Sequence, residues 1–281
     1  MTVRPDPFDK PEWHALGREA KLVRQLIGAG ATALGRASYA DGFGEYYTAF
    51  FSLSIGIERL AKMILIADYV LDHNGALPDQ GSAKKYGHNL SKLIDLAGEI
   101  AEKHNLQLQH KKPGDDICEA IISCLNAFAD SSKVRYANYQ AIGNPSFDTR
   151  EEPVAKWWWE VVEPILTKHY RGKRTEIGVK SRAKIIDALM GSSTMLLHFD
   201  EQGNTMSDVE TASERTGQTK FAQKYGRFYT LVVVRWLANI FTELTQTNGY
   251  QPGLEILFGH YEQLNTYRTE DSFLLTRKNW P

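Results

Sequence analysis

The sequence predicts an all-α protein, with a helical bundle in its first half and a helical extension behind it. Apolar residues recur at spacings of three and four through most of the chain, the signature of an amphipathic helix. Alternating patterns are scarce. "TLVVV" (230–234) is the only β-branched run, and its flanks keep the helical period. Strong turn signals fall between the periodic stretches instead of inside them.

In "DKPEWHALGREAKLVRQLIGAGATALGRA", Asp9 is placed to cap a helix entered through Pro11. Leu16, Ala20, Val23, Ile27, Ala31 and Leu34 then mark its buried stripe. A second helix spans 43–71, with Tyr47, Phe50, Ser54, Ile57, Ala61 and Ile64 on one side. It stops at "DHNGALPDQG", where Asn-Gly and Pro-Asp break the period. A third starts near His88 and runs through Leu93, Ala97 and Ile100. A fourth covers 114–130, with Ile117, Ile121, Cys124 or Leu125, and Phe128 inward.

Gly143, Asn144, Pro145 and Pro153 then form a soft boundary that divides the chain into 1–142 and 143–281. "VAKWWWEVVEPILTKHY" resumes as a helix kinked or shortened at Pro164, which lacks a backbone donor. "KSRAKIIDALMGSSTMLL" reads as helical and "HFDEQGNT" as a polar turn. "SDVE" (207–210) has the spacing of a capping box. The segment 218–246 is the most apolar helix, and 253–268 is expected to be the last.

The chain has 281 residues, enough for one large domain or two small ones. Apolar residues make up 42% and charged residues 24%, the balance of a globular protein in water. A net charge of −1 excludes nucleic-acid binding by bulk charge and leaves only a local basic patch to do it. The two cysteines, Cys118 and Cys124, match no zinc spacing and no disulfide framework, so a reduced, cytoplasmic setting is expected. The first residues have no apolar signal core. The run "YTLVVVRWLANIF" is too short and too interrupted to span a bilayer, so no membrane association is expected.

The eight histidines form no metal-ligand pair with one another or with the cysteines, and no metal or cofactor is expected. "GAGATALG" (28–35) is glycine-rich but lies in a helical period, where small residues serve close helix packing and not a dinucleotide. Neither a phosphate-binding G-x-x-x-x-G-K-[ST] loop nor a G-x-S-x-G elbow occurs.

Five groups of residues remain. Glu58 sits at the edge of an apolar helix, either paired with Lys62 one turn on or orienting something polar across the bundle. His88 and Asn89 follow Gly87 at a helix start, where they either cap the helix or help to hold a phosphate. In "KVRYANYQ" (133–140), Arg135 lies among Tyr136, Asn138 and Tyr139, which suits a phosphate or a stacked base; pairing with a carboxylate is the structural alternative. "KHYRGKRTEIGVKSRAK" (168–184) gathers Lys168, Arg171, Lys173, Arg174, Lys180, Arg182 and Lys184 against one glutamate. That is a patch for a nucleic-acid backbone or a solvated charge run. Trp157, Trp158 and Trp159 cannot all face one side of a helix, so one is expected outside, at a partner or dimer contact.

Taken in order, "GIERLAKMILIADYV", "GHNLSKLIDLA" and "VRYANY" resemble the HEPN superfamily of small helical domains. The matching residues are Glu58, Leu60 and Lys62, then His88 and Leu90, then Arg135 and Tyr136, within residues 10–142. The resemblance implies an HEPN-like bundle and a homodimer that binds RNA or a nucleotide-type ligand, in a bacterial defence or toxin-related setting. It places Glu58, His88, Asn89, Arg135, Tyr136 and Asn138 at the ligand. Ribonucleases of the superfamily carry an arginine, four to six residues, and a histidine, and cleave without metal. No arginine of this chain is so followed, which argues against standard ribonuclease activity. Two alternatives stay open. One is a metal-independent ribonuclease built on Arg135 with His88 or Tyr139. The other is a structural or regulatory protein-interaction module.

Overall fold

A computed structural model describes residues 6–129 and 149–281, and among these it is an all-α helical bundle. The first helix, α1 (Pro11–Leu34), runs beside α2 (Gly44–Asp72), and the two make the most extensive helix pair in the molecule. A short α3 (Gln80–Lys85) leads to α4 (Leu90–Lys103) and α5 (Asp116–Ala129), which pack against α2. Then follow α6 (Pro153–Trp157), a π-helical turn (Trp158–Val162), α7 (Glu163–His169) and α8 (Arg174–Met190). The longest helix, α9 (Val209–Gln246), has 38 residues, or ~57 Å at about 1.5 Å per residue. Short 3-10 turns and α10 (Asp271–Thr276) close the chain back onto α1 and α9.

The tight α1–α2 crossing follows from glycines on both helices. A Cβ at Gly30 would stand 2.6 Å from Leu53 Cγ and 3.0 Å from the Leu53 backbone nitrogen. Reciprocally, one at Gly56 would meet Ile27 Cγ1 at 2.8 Å and the Ile27 nitrogen at 3.1 Å. At Gly28 it would lie 1.9 Å from the Pro281 carbonyl oxygen, so the glycine-rich run serves close packing. Overfilling such a contact costs about 1–3 kcal/mol, of which better helix propensity returns about 1. The double variant Gly30→Ala/Gly56→Ala is therefore expected to lose about 2 kcal/mol in urea unfolding. An unchanged or raised midpoint would mean that the helices are not held so close.

A single apolar core joins α1, α2, α4 and α5 to α6, α7 and α9. The middle of α9 is buried all round, from Thr230 to Thr242 with only Val232 partly open. Its buried hydroxyl and amide side chains bond to their own helix, whereas Arg235 reaches out to the Thr269 carbonyl and to Asp271. The hydroxyls of Thr230, Thr242 and Thr245 donate to carbonyls one turn back at 2.7–2.8 Å, and the Asn239 amide does the same to Arg235.

Several local expectations need correction. Asp9 does not cap α1, whose N-cap is Lys10 with no side-chain bond; Asp6 caps a short 3-10 turn ahead of it. α9 begins nine residues before 218, and its cap is Asp208, whose carboxylate accepts from Thr211 N at 2.7 Å, rather than Ser207. The reading of 253–268 as one helix fails, because Gly259 at φ +76° separates two 3-10 turns, and α10 follows. α8 stops at Met190, short of "STMLL". Thr194 is extended, and His198–Phe199 (β1) pairs antiparallel with Thr205–Met206 (β2). The polar turn between them is built by Asp200, whose Oδ1 accepts from Gln202 N and Asn204 N at 2.9 and 2.8 Å, with Gly203 at φ +82°. Pro164 sits in the first turn of α7, directly after the π turn, where a missing donor leaves no hydrogen bond of that helix unmade.

Candidate functional site

Glu58 lies on the outward side of α2, and its neighbours explain how a carboxylate is tolerated there. Lys62 Nζ donates to Glu58 Oε1 at 2.8 Å, one turn along the helix, and His88 Nδ1 lies 2.9 Å from the same oxygen. A carboxylate only accepts, so the Nδ1 proton is the one held in this contact. His88 Nε2 is thereby left outward on a side chain that is 83% exposed, whereas Glu58 is 17% exposed. The carboxylate thus acts as an orienting group beneath a solvent-facing imidazole.

The turn that delivers His88 depends on Gly87, whose φ of +69° favours glycine over any side-chain-bearing residue. Asn89 follows as the N-cap of α4, its Oδ1 accepting from Lys92 N at 2.8 Å. Asn126, reaching over from α5, accepts from Leu90 N at 2.7 Å. Two of the free donors at this helix start are therefore already bonded, which fixes Asn89 as a cap and reduces what the helix start can offer a phosphate.

These groups line a cleft of about 430 Å³. Its walls come from α2 (Ser54, Glu58, Arg59, Lys62), from Glu19 of α1, from His88 and from Ala129 at the end of α5. Arg59 is ion-paired with Glu19 across the α1–α2 crossing. The wall therefore alternates two carboxylates, two cations and one imidazole, with Met63 and Ile66 as its apolar part. Glu19 and Arg59 were not singled out from sequence; 40 residues separate them, and no local pattern links them. Arg135, Tyr136, Asn138 and Tyr139 lie outside the described residues.

The basic segment is less free than its composition suggests. Lys168 is paired with Asp115, Arg171 with Glu163, and Lys180 with Glu176 at 2.8 Å. Hydrogen bonding to Asp115 raises the Lys168 pKa, and Lys180 lowers that of Glu176. Lys173, Arg174, Arg182 and Lys184 have no ion pair among the described residues, so the exposed positive charge is about half of that read from the sequence.

The tryptophans divide two to one. Trp157 and Trp158 are fully buried, which removes them from any partner surface, and Trp159 alone is exposed, with the Arg150 guanidinium 5.4 Å from its ring. Beneath them lies a buried polar chain that sequence reasoning missed. Trp158 Nε1 donates to Tyr46 Oη at 2.9 Å, Tyr46 donates to Glu201 at 3.2 Å, and Arg215 Nε donates to Glu201 at 2.8 Å. The Arg215 guanidinium also stacks 3.6 Å from the centre of the Trp158 ring. Burial raises the Tyr46 and Glu201 pKa values, in each case the leading cause.

No family model, curated protein or solved structure matches this chain. Among the described residues no group of three histidine, cysteine or carboxylate side chains is placed to hold a metal ion. No helix among them is long and apolar enough to cross a membrane.

Proposed function

We propose that the cleft between α1, α2 and the start of α4 binds the phosphate-bearing part of an RNA or nucleotide-type ligand. The observation that carries this reading is the Glu58–His88 pair at the cleft rim. A carboxylate that holds an imidazole by Nδ1 leaves Nε2 directed outward, where it can donate to a phosphate once protonated. Lys62 and Arg59 bring two cationic donors to the same wall, each held there by a carboxylate, Glu58 or Glu19. The segment bearing Arg135 leaves α5 at Ala129, itself a cleft residue. The resemblance to HEPN domains adds the expected setting, a homodimeric defence or toxin-related protein of the cytoplasm without standard ribonuclease activity.

The decisive experiment is RNA binding and cleavage across salt, with EDTA present, comparing wild type with His88→Ala and Arg135→Ala. Binding that falls with salt, without cleavage, and weakens about tenfold in each variant is the expected result. Cleavage abolished by Arg135→Ala would instead establish a metal-independent ribonuclease. A wild type that neither binds nor cleaves RNA or nucleotide would end the proposal. The exposed Trp159, with Arg150 over its ring, favours a second reading as a protein-interaction module.

A further inference from the structure

We propose that this chain associates with a second copy of itself through the segment 194–199, whose last two residues form β1, in a two-fold antiparallel pairing. This surface shares no residue with the cleft and does not rest on the ligand reading.

Among the described residues β1 is paired on one side only, with β2. Asp200 N donates to Asn204 O at 2.9 Å, so the donors and acceptors of Asp200 and His198 face β2, and those of Phe199 face away. The main chain of Met195, Leu196 and Leu197 makes no backbone hydrogen bond to the described residues. An extended strand completes such a row of unpaired groups.

The side chains select the occupant. Met195, Leu197 and Phe199, at every second position of the segment, are 98%, 70% and 58% exposed. Placing the two-fold axis at Leu197 sets that residue against its own copy and each Met195 against a Phe199, a favourable sulfur–aromatic match. No charged residue occurs from Gly191 to Phe199 in a chain that is 24% charged, and the net charge is only −1. Self-pairing therefore opposes no like charges.

Ile185, Leu189 and Met190, at the end of α8 just before the segment, are exposed as well. The six side chains amount to roughly four fully exposed ones. At about 200 Å² each, this sets an upper limit on the order of 800 Å² for the apolar surface that pairing can cover, the size that one partner of a stable dimer buries.

Sedimentation of the full chain over about a hundredfold concentration range tests this, with Leu197→Lys beside wild type. Wild type is expected to dimerise reversibly. Leu197→Lys enters the interface twice, and is expected to weaken the dimer by about a hundredfold while leaving the circular dichroism spectrum unchanged. A second variant fixes the register. Paired backbones at the axis lie about 5.5 Å apart, within disulfide reach, so Leu197→Cys is expected to cross-link copies on mild oxidation. Ile177→Cys, also exposed but at the other end of α8, is not. The native Cys118 and Cys124 are buried, and burial pushes the Cys118 thiol up to about 12, so neither competes. A wild type that stays monomeric throughout overturns the proposal. A dimer that survives Leu197→Lys and forms no link through position 197 overturns it equally.

Discussion

Arg215→Met is expected to unfold at markedly lower denaturant than wild type, with a loss of about 3–5 kcal/mol at neutral pH. The arginine is 8% exposed, and the Glu201 side chain to which it donates is fully buried. Methionine would fill much of the space over Trp158 but would leave a buried carboxylate with Tyr46 and its own backbone N–H as donors and no charged partner at Arg215's place. The deficit also has a sign in pH. Burial raises the Glu201 pKa, and Arg215 opposes that rise. A carboxyl whose folded pKa is raised stabilises the fold below its unfolded value, about 4.3, and loses that contribution as pH rises through the folded value. Removing Arg215 widens the gap, so the variant is expected to recover part of its loss on acidification toward that value. Urea titrations at neutral and mildly acidic pH check this. A deficit independent of pH would mean that lost packing, and not the stranded charge, sets the cost.

Phe128→Ala is expected to lose about 3–5 kcal/mol and to loosen the cleft. Phe128 is the hub where α2, α5 and α6 meet. Its ring lies 4.8 Å from Phe51, 5.5 Å from Phe50 and 5.9 Å from Tyr47, and Phe50 in turn lies 5.3 Å from Trp157. Edge-on aromatic contacts of this kind add about 0.5–1.5 kcal/mol each beyond area burial. Ala129, the next residue, lines the cleft, so the same substitution is expected to weaken any ligand bound there. Thermal unfolding and ligand titration of the variant measure the two effects separately. A melting temperature within a degree or two of wild type would show that α5 is not anchored by this cluster.

The contrast between these residues shows what the sequence discloses. Phe128 is legible because the helical period of its segment places it with Ile117 and Ile121, and all three are buried. The α1 stripe from Leu16 to Leu34 is read the same way, as is the choice of packing over nucleotide binding for the glycine run. Arg215 is not legible, because its carboxylates sit in a hairpin whose strands are two residues each, too short to show alternation. Glu58 shows an intermediate case. The Lys62 pairing follows from helical spacing, and His88 is brought to it by a glycine turn 30 residues on that periodicity alone does not find. Trp158 and Trp159 are adjacent and chemically alike, and only the tertiary direction of α6 and its π turn decides which is buried.

The course of α9 has a consequence for how the protein is made. The apolar faces that α2, α4 and α5 turn toward α9 are synthesised before residue 130, whereas their cover ends at Gln246. At the usual pace of translation, the growing chain carries that unsealed surface for on the order of ten seconds. Contacts so distant in sequence also close slowly. Until α9 is complete, the first half of the chain is therefore short of part of the surface that buries its core.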